Sequence, residues 1–377
     1  RAARAAVLSA MLGAAAGAYA QWPVPVATQL KESADGIGHM LIVPYYTAQG
    51  GNATLLNIVN TNQRVGKVVK VRFRGASNAD DVFNFTLFLS PKDVWAAEIS
   101  EDPVTGLARL STADLSCTLP TNVNREFSTT RLNPAADLVN ETREGYVEII
   151  AMADMELFTA ILDATTVGWD GKMPAPCSQG APTPPALNEL LTDPGISAAG
   201  FTPPTAGLFA NWSIFNVADA TSWAGAATAI VAVDNAGVLG TGKVVMHPQT
   251  SGRPSRMVND VTSDPLLRNG STSIQRSDVP DLSTPYVGTI TPTEQAAMLS
   301  TALNKRSIEN EFFTDDRVQA QTDWVITLPT RRYAMGVNYS TGQIDQTALS
   351  PDYFPASYNW FEGEGAARKS CVRWVSY

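Results

Sequence analysis

Lys67–Arg74 reads KVVKVRFR and, a few residues further on, Val82–Ser90 reads VFNFTLFLS. In the first stretch Val69, Val71 and Phe73 fall on one side, with Lys70, Arg72 and Arg74 on the other. In the second, Phe83, Phe85, Leu87 and Leu89 share a side, and Asp93–Ile99 continues the pattern. A period of two marks half-buried antiparallel strands, one face apolar and one face in water. The spacing therefore predicts that the Lys70, Arg72 and Arg74 face is solvated.

Working outward, further strands are predicted at Gly38–Thr47 (broken by Pro44), Thr54–Thr61, after the turn Gly50-Gly51-Asn52, and Gly145–Met152. A second cluster follows at Leu208–Val217, Ala224–Asp234 and Lys243–His247. A third comprises Asp323–Leu328, Arg332–Asn338 and Ser370–Tyr377. Strands at short spacing with turn residues between them predict an all-β antiparallel β-sandwich, as one or two jelly-roll or Ig-like sandwiches. The 27 Gly and 24 Pro agree with a turn-rich chain. Leu55–Asn60 and Ser213–Val217 share a faint pattern, which two related sandwiches or any two hairpins would give. Helices are few. Thr291-Pro292-Thr293-Glu294 is a capping box with Pro at the first helical position, followed by Leu299, Ala302 and Leu303 at helical spacing. A shorter helix is predicted over Pro185–Leu191. The organisation read from this is a signal peptide at 1–20, an N-terminal arm at 21–37 and a first β-rich region at 38–162. A Pro/Gly/Ala-rich loop region follows at 163–206, then a second β-rich region at 207–377 with its helix near 292–304.

The chain has 377 residues, 44% of them apolar and 17% charged, enough to bury a core and too little charge for disorder. With 27 Lys and Arg against 36 Asp and Glu, the formal charge is −9, and no basic stripe offers itself to phosphates. Nucleic acid is therefore not an expected partner. Arg1 and Arg4 precede the apolar run Ala5–Leu12, and the segment closes on Ala18-Tyr19-Ala20. This is the pattern of a secretory signal peptide cleaved before Gln21. Its apolar part is about 16 residues, short of the roughly 20 that span a bilayer, and no later run is long enough. The expected location is secreted, extracellular or cell-surface, with no transmembrane segment.

Catalytic patterns fail on inspection. Gly237-Val238-Leu239-Gly240-Thr241-Gly242-Lys243 has phosphate-loop spacing, but Val244 stands where a hydroxyl must hold magnesium. A glycine-rich hairpin is the better reading. Only His39 and His247 could act as base in a serine hydrolase, and no Gly-x-Ser-x-Gly elbow is present. Two histidines without a Cys-x-x-Cys pair make no ordinary zinc site. The carboxylates Asp80-Asp81, Asp315-Asp316, Glu309 and Glu311 read as solvated turn residues. The acidic loops could take calcium, though no EF-hand spacing appears. No cofactor is expected.

Three features remain. Export favours oxidised cysteines, and pairing Cys117 with Cys177 would staple two long loops, leaving Cys371 over. Trp22, Val24 and Val26 alternate along an arm that Pro23 and Pro25 hold extended. Such an arm could pair with a sheet edge of a second copy, fold back on its own domain, or be disordered as termini often are. Tyr353, Phe354, Tyr358, Trp360 and Phe361 form the densest aromatic stretch, suited to stacking on sugar rings or to docking a neighbouring subunit.

The runs LIVPYYTAQGGNATLLNIVNTN and KVVKVRFRGASNADDVFNFTLFLSPKDVWAAEI resemble a family of exported, poorly characterised proteobacterial cell-surface proteins. The resemblance covers about residues 38–99, with weaker echoes at Ser111–Cys117 and Thr142–Met152. It implies a surface location and brings no catalytic residues with it. The expectation is a non-enzymatic structural protein that self-assembles into a surface layer, sheath or extracellular filament, as a homo-oligomer or polymer. A secreted module that binds cell-surface polysaccharide is the alternative, and a secreted hydrolase the third.

Overall fold

The strands predicted around Lys67–Leu89 are neighbours in the larger of two packed antiparallel sheets. The computed structural model describes residues 24–76, 79, 81–129, 132, 137–156, 201–242, 244, 267–268, 286–287, 292–305, 314–317, 323–329, 336–338, 343–345 and 372–376. The larger sheet is built from β1 (Gln29–Glu32), β2 (Met40–Thr47), β4 (Gly66–Gly75), β5 (Asp81–Leu89), β8 (Cys117–Leu119), β10 (Glu144–Met155), β11 (Phe201–Thr202) and β14 (Thr228–Val233). Its order is β1-β14-β2-β10-β4-β5-β8, with β11 also pairing β10. The smaller sheet is built from β3 (Asn52–Asn60), β6 (Val94–Glu101), β7 (Ala108–Ser111), β9 (Arg125–Glu126), β12 (Leu208–Asn216) and β13 (Thr221–Ala226), in the order β13-β12-β3-β6-β7-β9. Helix α1 (Leu138–Thr142) leads into β10, and its first turn is capped by the Asp137 carboxylate, which accepts from the Asn140 N–H.

Both β-rich regions contribute to both sheets. β12 pairs with β3 over nine residues, from Leu208↔Asn60 to Asn216↔Asn52, and β14 pairs with both β1 and β2. The two stretches with a shared pattern, Leu55–Asn60 and Ser213–Asn216, are thus neighbours in one sheet.

The core between the sheets takes the apolar faces that the alternation predicted. Val69, Val71 and Phe73 of β4 and Phe83, Phe85, Leu87 and Leu89 of β5 meet Leu56 and Ile58 of β3 and Trp95 and Ile99 of β6. Phe83 stacks on Phe127 with centroids 5.0 Å apart, and Phe85 lies 5.3 Å from Trp95. Each such side chain stabilises the fold by about 1.5–3 kcal/mol on burial.

At one margin the two sheets are joined by main chain. The Gly38 N–H donates to the Leu208 carbonyl (2.9 Å), and the Leu208 N–H donates to the Gly38 carbonyl (3.0 Å). Only glycine fits there, because a Cβ on Gly38 would sit 2.6 Å from the Ile230 carbonyl oxygen. A second tight place is Gly145, where the pairing of β10 with β2 slips by one residue. A Cβ on Gly145 would lie 1.8 Å from the Arg74 carbonyl oxygen.

One expectation is overturned. The Lys70, Arg72 and Arg74 face is not solvated: every residue of β4 is buried. A third layer covers this side of the larger sheet, built from Tyr286, Val287, helix α2 (Pro292–Leu303) and β16 (Asp323–Thr327). Leu299 of α2 and Val325 of β16 pack with Leu30, Met40, Ile42, Tyr146 and Ile230. The Tyr286 hydroxyl anchors this layer, 2.7 Å from the His39 carbonyl and 2.9 Å from that of Ala151. β16 pairs with β19 (Val372–Ser376), while β15 (Leu267–Arg268), β17 (Gly336–Asn338) and β18 (Gln343–Asp345) form a small sheet.

Candidate functional site

Function in a fold of this kind rests on what its edges, faces and clefts present. Of the sheet margins, three are protected. β1 carries Lys31 and Glu32 and has α2 packed beside it. β8 is three residues long and ends at Pro120, and β9 is two residues long and charged. Short length, charge and proline are the ordinary defences of an exposed edge. β13 has none of them. Its six residues, TSWAGA, bear no charge; five are exposed, and Trp223 is 52% exposed. It pairs with β12 on one side, and among the described residues no strand pairs with the other.

The outer face of the same sheet is also poor in charge. Leu55, Asn57 and Val59 of β3 lie beside Ser213, Asn211 and Phe209 of β12 and beside Glu98, Ala96 and Val94 of β6. Leu55 and Val94 are 39% and 50% exposed. Within this patch Glu98 is the single ionisable group.

The opposite side of the molecule hides its charges. The Lys67 ammonium is buried; it donates to Asp154 Oδ1 at 2.6 Å, to the Thr205 carbonyl at 2.7 Å and to Thr205 Oγ1 at 2.8 Å. Burial pulls the Lys67 pKa down and pushes that of Asp154 up, each opposed by the partner's charge. The Glu148 carboxylate lies between two guanidiniums, accepting from Arg74 Nε at 2.9 Å and lying 2.9 Å from Arg72 Nη2. None of the three Arg72 nitrogens reaches hydrogen-bond geometry. Burial lowers the Lys70 pKa to about 7; Asp81 opposes the shift and Arg72 adds to it. Lys70, Arg72, Arg74 and Glu148 lie beneath the third layer, while Lys67 and Asp154, on the strand face shared with Val69 and Val71, close the margin between the two sheets beside Thr205 and Gly207.

A polar cleft of about 420 Å³ opens at the β2–β3 turn, lined by Tyr45, Thr47, Gln49, Gly50, Asn52 and Glu144. The turn itself uses up its main-chain groups: the Asn52 N–H donates to the Gln49 carbonyl, and Asn216 Nδ2 donates to the Gly50 carbonyl. The Gln49 N–H donates to Thr47 Oγ1 (3.1 Å) and the Tyr45 hydroxyl to Glu144 Oε2 (2.8 Å). Gln49 Nε2 and Asn52 Oδ1 are shielded from solvent and have no partner.

The residues singled out from the sequence are scattered. Val24 and Val26 are 43% and 64% exposed, while the chain beside them lies on its own domain. The Ala27 N–H donates to the Thr241 carbonyl, the Thr241 N–H donates to the Pro25 carbonyl, and β1 then pairs with β14. This is the folded-back arm, with its two valines pointing outward. Trp22, Tyr353, Phe354, Tyr358, Trp360, Phe361, Cys177, Cys371, His247, Asp80, Glu309, Glu311 and the predicted helix at Pro185–Leu191 lie outside the described residues, as does Lys243. Cys117 is buried in β8, and its sulfur is disulfide-bonded. The glycine-rich run after β14 is a hairpin: the Gly237 N–H donates to the Asp234 carbonyl, and Val233 bridges Leu239 in antiparallel fashion. His39 is buried, with Nε2 donating to the Gly240 carbonyl (3.0 Å) and Nδ1 accepting from the Ala232 N–H (3.1 Å). Asp81 accepts from Asn84, and Asp315 pairs with Arg317. Among the described residues no three His, Cys, Asp or Glu side chains gather as metal ligands, and no helix is long and apolar enough to cross a membrane.

The β13 edge and the polar cleft were missed in the sequence. TSWAGA has too little alternation to announce a strand. Gln49 and Asn52 look like ordinary turn residues until the neighbouring Tyr45 and Glu144 enclose them. Compared with family models, curated proteins and solved structures, the chain matches none.

Proposed function

We propose that this chain is a non-enzymatic, exported structural protein of the bacterial cell surface that self-assembles into a layer, sheath or filament. The uncharged, unpaired edge of β13 carries this reading. Edge strands of soluble proteins are normally defended against pairing, and this molecule defends its other sheet margins. A second copy can add its own β13 in antiparallel register, which extends the small sheet through a two-fold axis. Such isologous pairing closes at a dimer. Growth beyond it needs a different surface, and the outer face around Leu55, Val59, Val94 and Ala96 supplies one. The signal-peptide pattern at 1–20 and the resemblance of residues 38–99 to exported surface proteins support the location. Oxidation agrees with it: we assign Cys177 as the partner of Cys117, which closes a loop of about 60 residues and stabilises by about 4 kcal/mol in the chain-entropy model. Peptide mapping without reductant tests that pairing, and a Cys117–Cys371 peptide would refute it.

The assembly test compares the chain from Gln21 onward with its Ser222→Lys/Ala224→Lys variant by multi-angle light scattering and electron microscopy. The parent is expected to form dimers and larger ordered species, and the variant to remain monomeric. A parent that is monomeric at every concentration, or a variant that assembles equally well, would refute the reading.

A further inference from the structure

We propose that Lys67 and Asp154 join covalently: the lysine Nζ forms an amide with the aspartate side chain, an isopeptide bond made within the fold that ties β4 to β10. The two residues sit opposite each other on adjacent strands. They do so because the pairing of β10 with β4 slips by one residue between Ala151 and Ala153; without that slip Lys67 would face Ala153. Irregularities of this kind re-aim side chains and gather at reactive places. Each strand is also held on its far side, β4 by β5 and β10 by β2, so the partners meet with little freedom left to lose. Their side chains are 0% and 3% exposed. Among the described residues the other lysine ion pair, Lys305 with Glu32, is half exposed, and water there keeps both groups ionised.

The surroundings suit both the reaction and its product. Attack needs a free amine and an uncharged carboxylic acid. Burial favours both, pulling the lysine pKa down and the aspartate pKa up against the opposing charge of each partner. A proton that crosses the 2.6 Å contact from Nζ to Oδ1 produces that neutral pair. The other oxygen, Oδ2, accepts from the Thr205 N–H at 3.2 Å and from the Thr205 hydroxyl. As Nζ adds to Cγ, negative charge grows on Oδ2, where these two donors already stand. The Cγ–Oδ1 bond then breaks. Nζ begins with three protons and ends with one; the two it gives up leave with Oδ1 as water, and no other reactant is consumed. The amide finds its hydrogen bonds in place. Its N–H has the Thr205 carbonyl 2.7 Å from Nζ, and its carbonyl oxygen keeps the two Thr205 donors. The bond is independent of whether copies assemble.

The test weighs the chain. The folded protein from Gln21 onward is treated with reductant to open the disulfide at Cys117 and measured by intact mass spectrometry. It is expected to be lighter than its sequence by one water, and digestion to yield a branched peptide that joins the segments around Lys67 and Asp154. The bond closes a loop between residues 87 positions apart, so the parent is expected to run ahead of Lys67→Met in a denaturing gel. Asp154→Asn changes the leaving group, so its expected loss is one ammonia, while Lys67→Met is expected at full mass. Thr205→Val removes one donor to Oδ2. In a time course begun from chain purified in denaturant, it is expected to slow bond formation about tenfold or more. A folded parent at full mass would overturn the proposal whatever the variants do. So would a one-water loss that persists in Lys67→Met or in Asp154→Asn.

Discussion

His39 shows how a residue type associated with catalysis serves the fold instead. Two main-chain partners fix it as the neutral tautomer, with the proton on Nε2 facing Gly240. Burial is the main cause that lowers its pKa to about 3, and Lys67 adds to the shift while the Gly240 bond opposes it. In the unfolded chain the imidazole titrates near its ordinary value of about 6.5. The unfolded state therefore binds the proton first, and stability is present above about pH 6.5 and lost as pH falls toward 3. Between pH 6.5 and 5 this one group is expected to remove about 2 kcal/mol. Urea titrations across that range should show the fall, and His39→Asn, which keeps an acceptor for Ala232, should be less stable at pH 7 with a flatter profile. Parallel profiles for the two proteins would remove His39 as the cause.

At the scale of elements, β4 and β10 depend on a crossing that only glycine allows. Gly145→Ala would drive a Cβ into the Arg74 carbonyl, and the buried Tyr46 ring, 3.0 Å from the same point, leaves little room to relax. The expected loss is about 3 kcal/mol or more, at the upper end of overpacking costs, read as a lower urea midpoint. An unchanged midpoint would mean that the junction yields. Sequence reading succeeded on β4 and β5, which follow from alternation, and it also placed strands at β10 and β12. The capping box at Thr291–Glu294 likewise located α2. It failed on the charged side of β4, because alternation reports only that a face is polar. Whether water or protein meets that face depends on Tyr286 and Leu299, more than 200 positions away in sequence. The short elements β1, β7, β9 and α1 were invisible for a related reason. β1, β7 and β9 exist because neighbouring strands offer them hydrogen bonds, α1 is a single turn held by its Asp137 cap, and their own residues show no period. The candidate site was the least legible part, since an undefended edge is defined by comparison with its rivals in the finished sheet.

For the molecule as a whole, charge sets the conditions under which copies meet. Identical chains of net charge −9 repel at long range, and the β13 strand itself carries no charge to offset this. Raising salt from 0.01 M to 0.15 M shortens the screening length from about 30 Å to about 8 Å. Assembly is thus expected to quicken with salt, as light scattering at fixed protein concentration would record. A rate that falls with salt would point to ion pairs across the interface and away from the β13 edge.

If the larger sheet forms before Tyr286, Val287 and α2 cover it, its side that carries Lys70, Arg72, Arg74 and Glu148 faces water. In that interval ionised groups keep a half-finished chain dissolved, where leucines would make it adhere to its neighbours. In the finished protein the same ions contribute little, because their attraction is set against the loss of hydration. Replacing Arg72, Arg74 and Glu148 together by leucine, so that no buried charge is left without its partner, is therefore expected to leave the urea midpoint equal or higher while lowering the soluble yield after dilution from denaturant. Equal yields would show that the triad matters only in the native state. On this view the ionic side of β4 protects the chain during folding, before the native contacts exist.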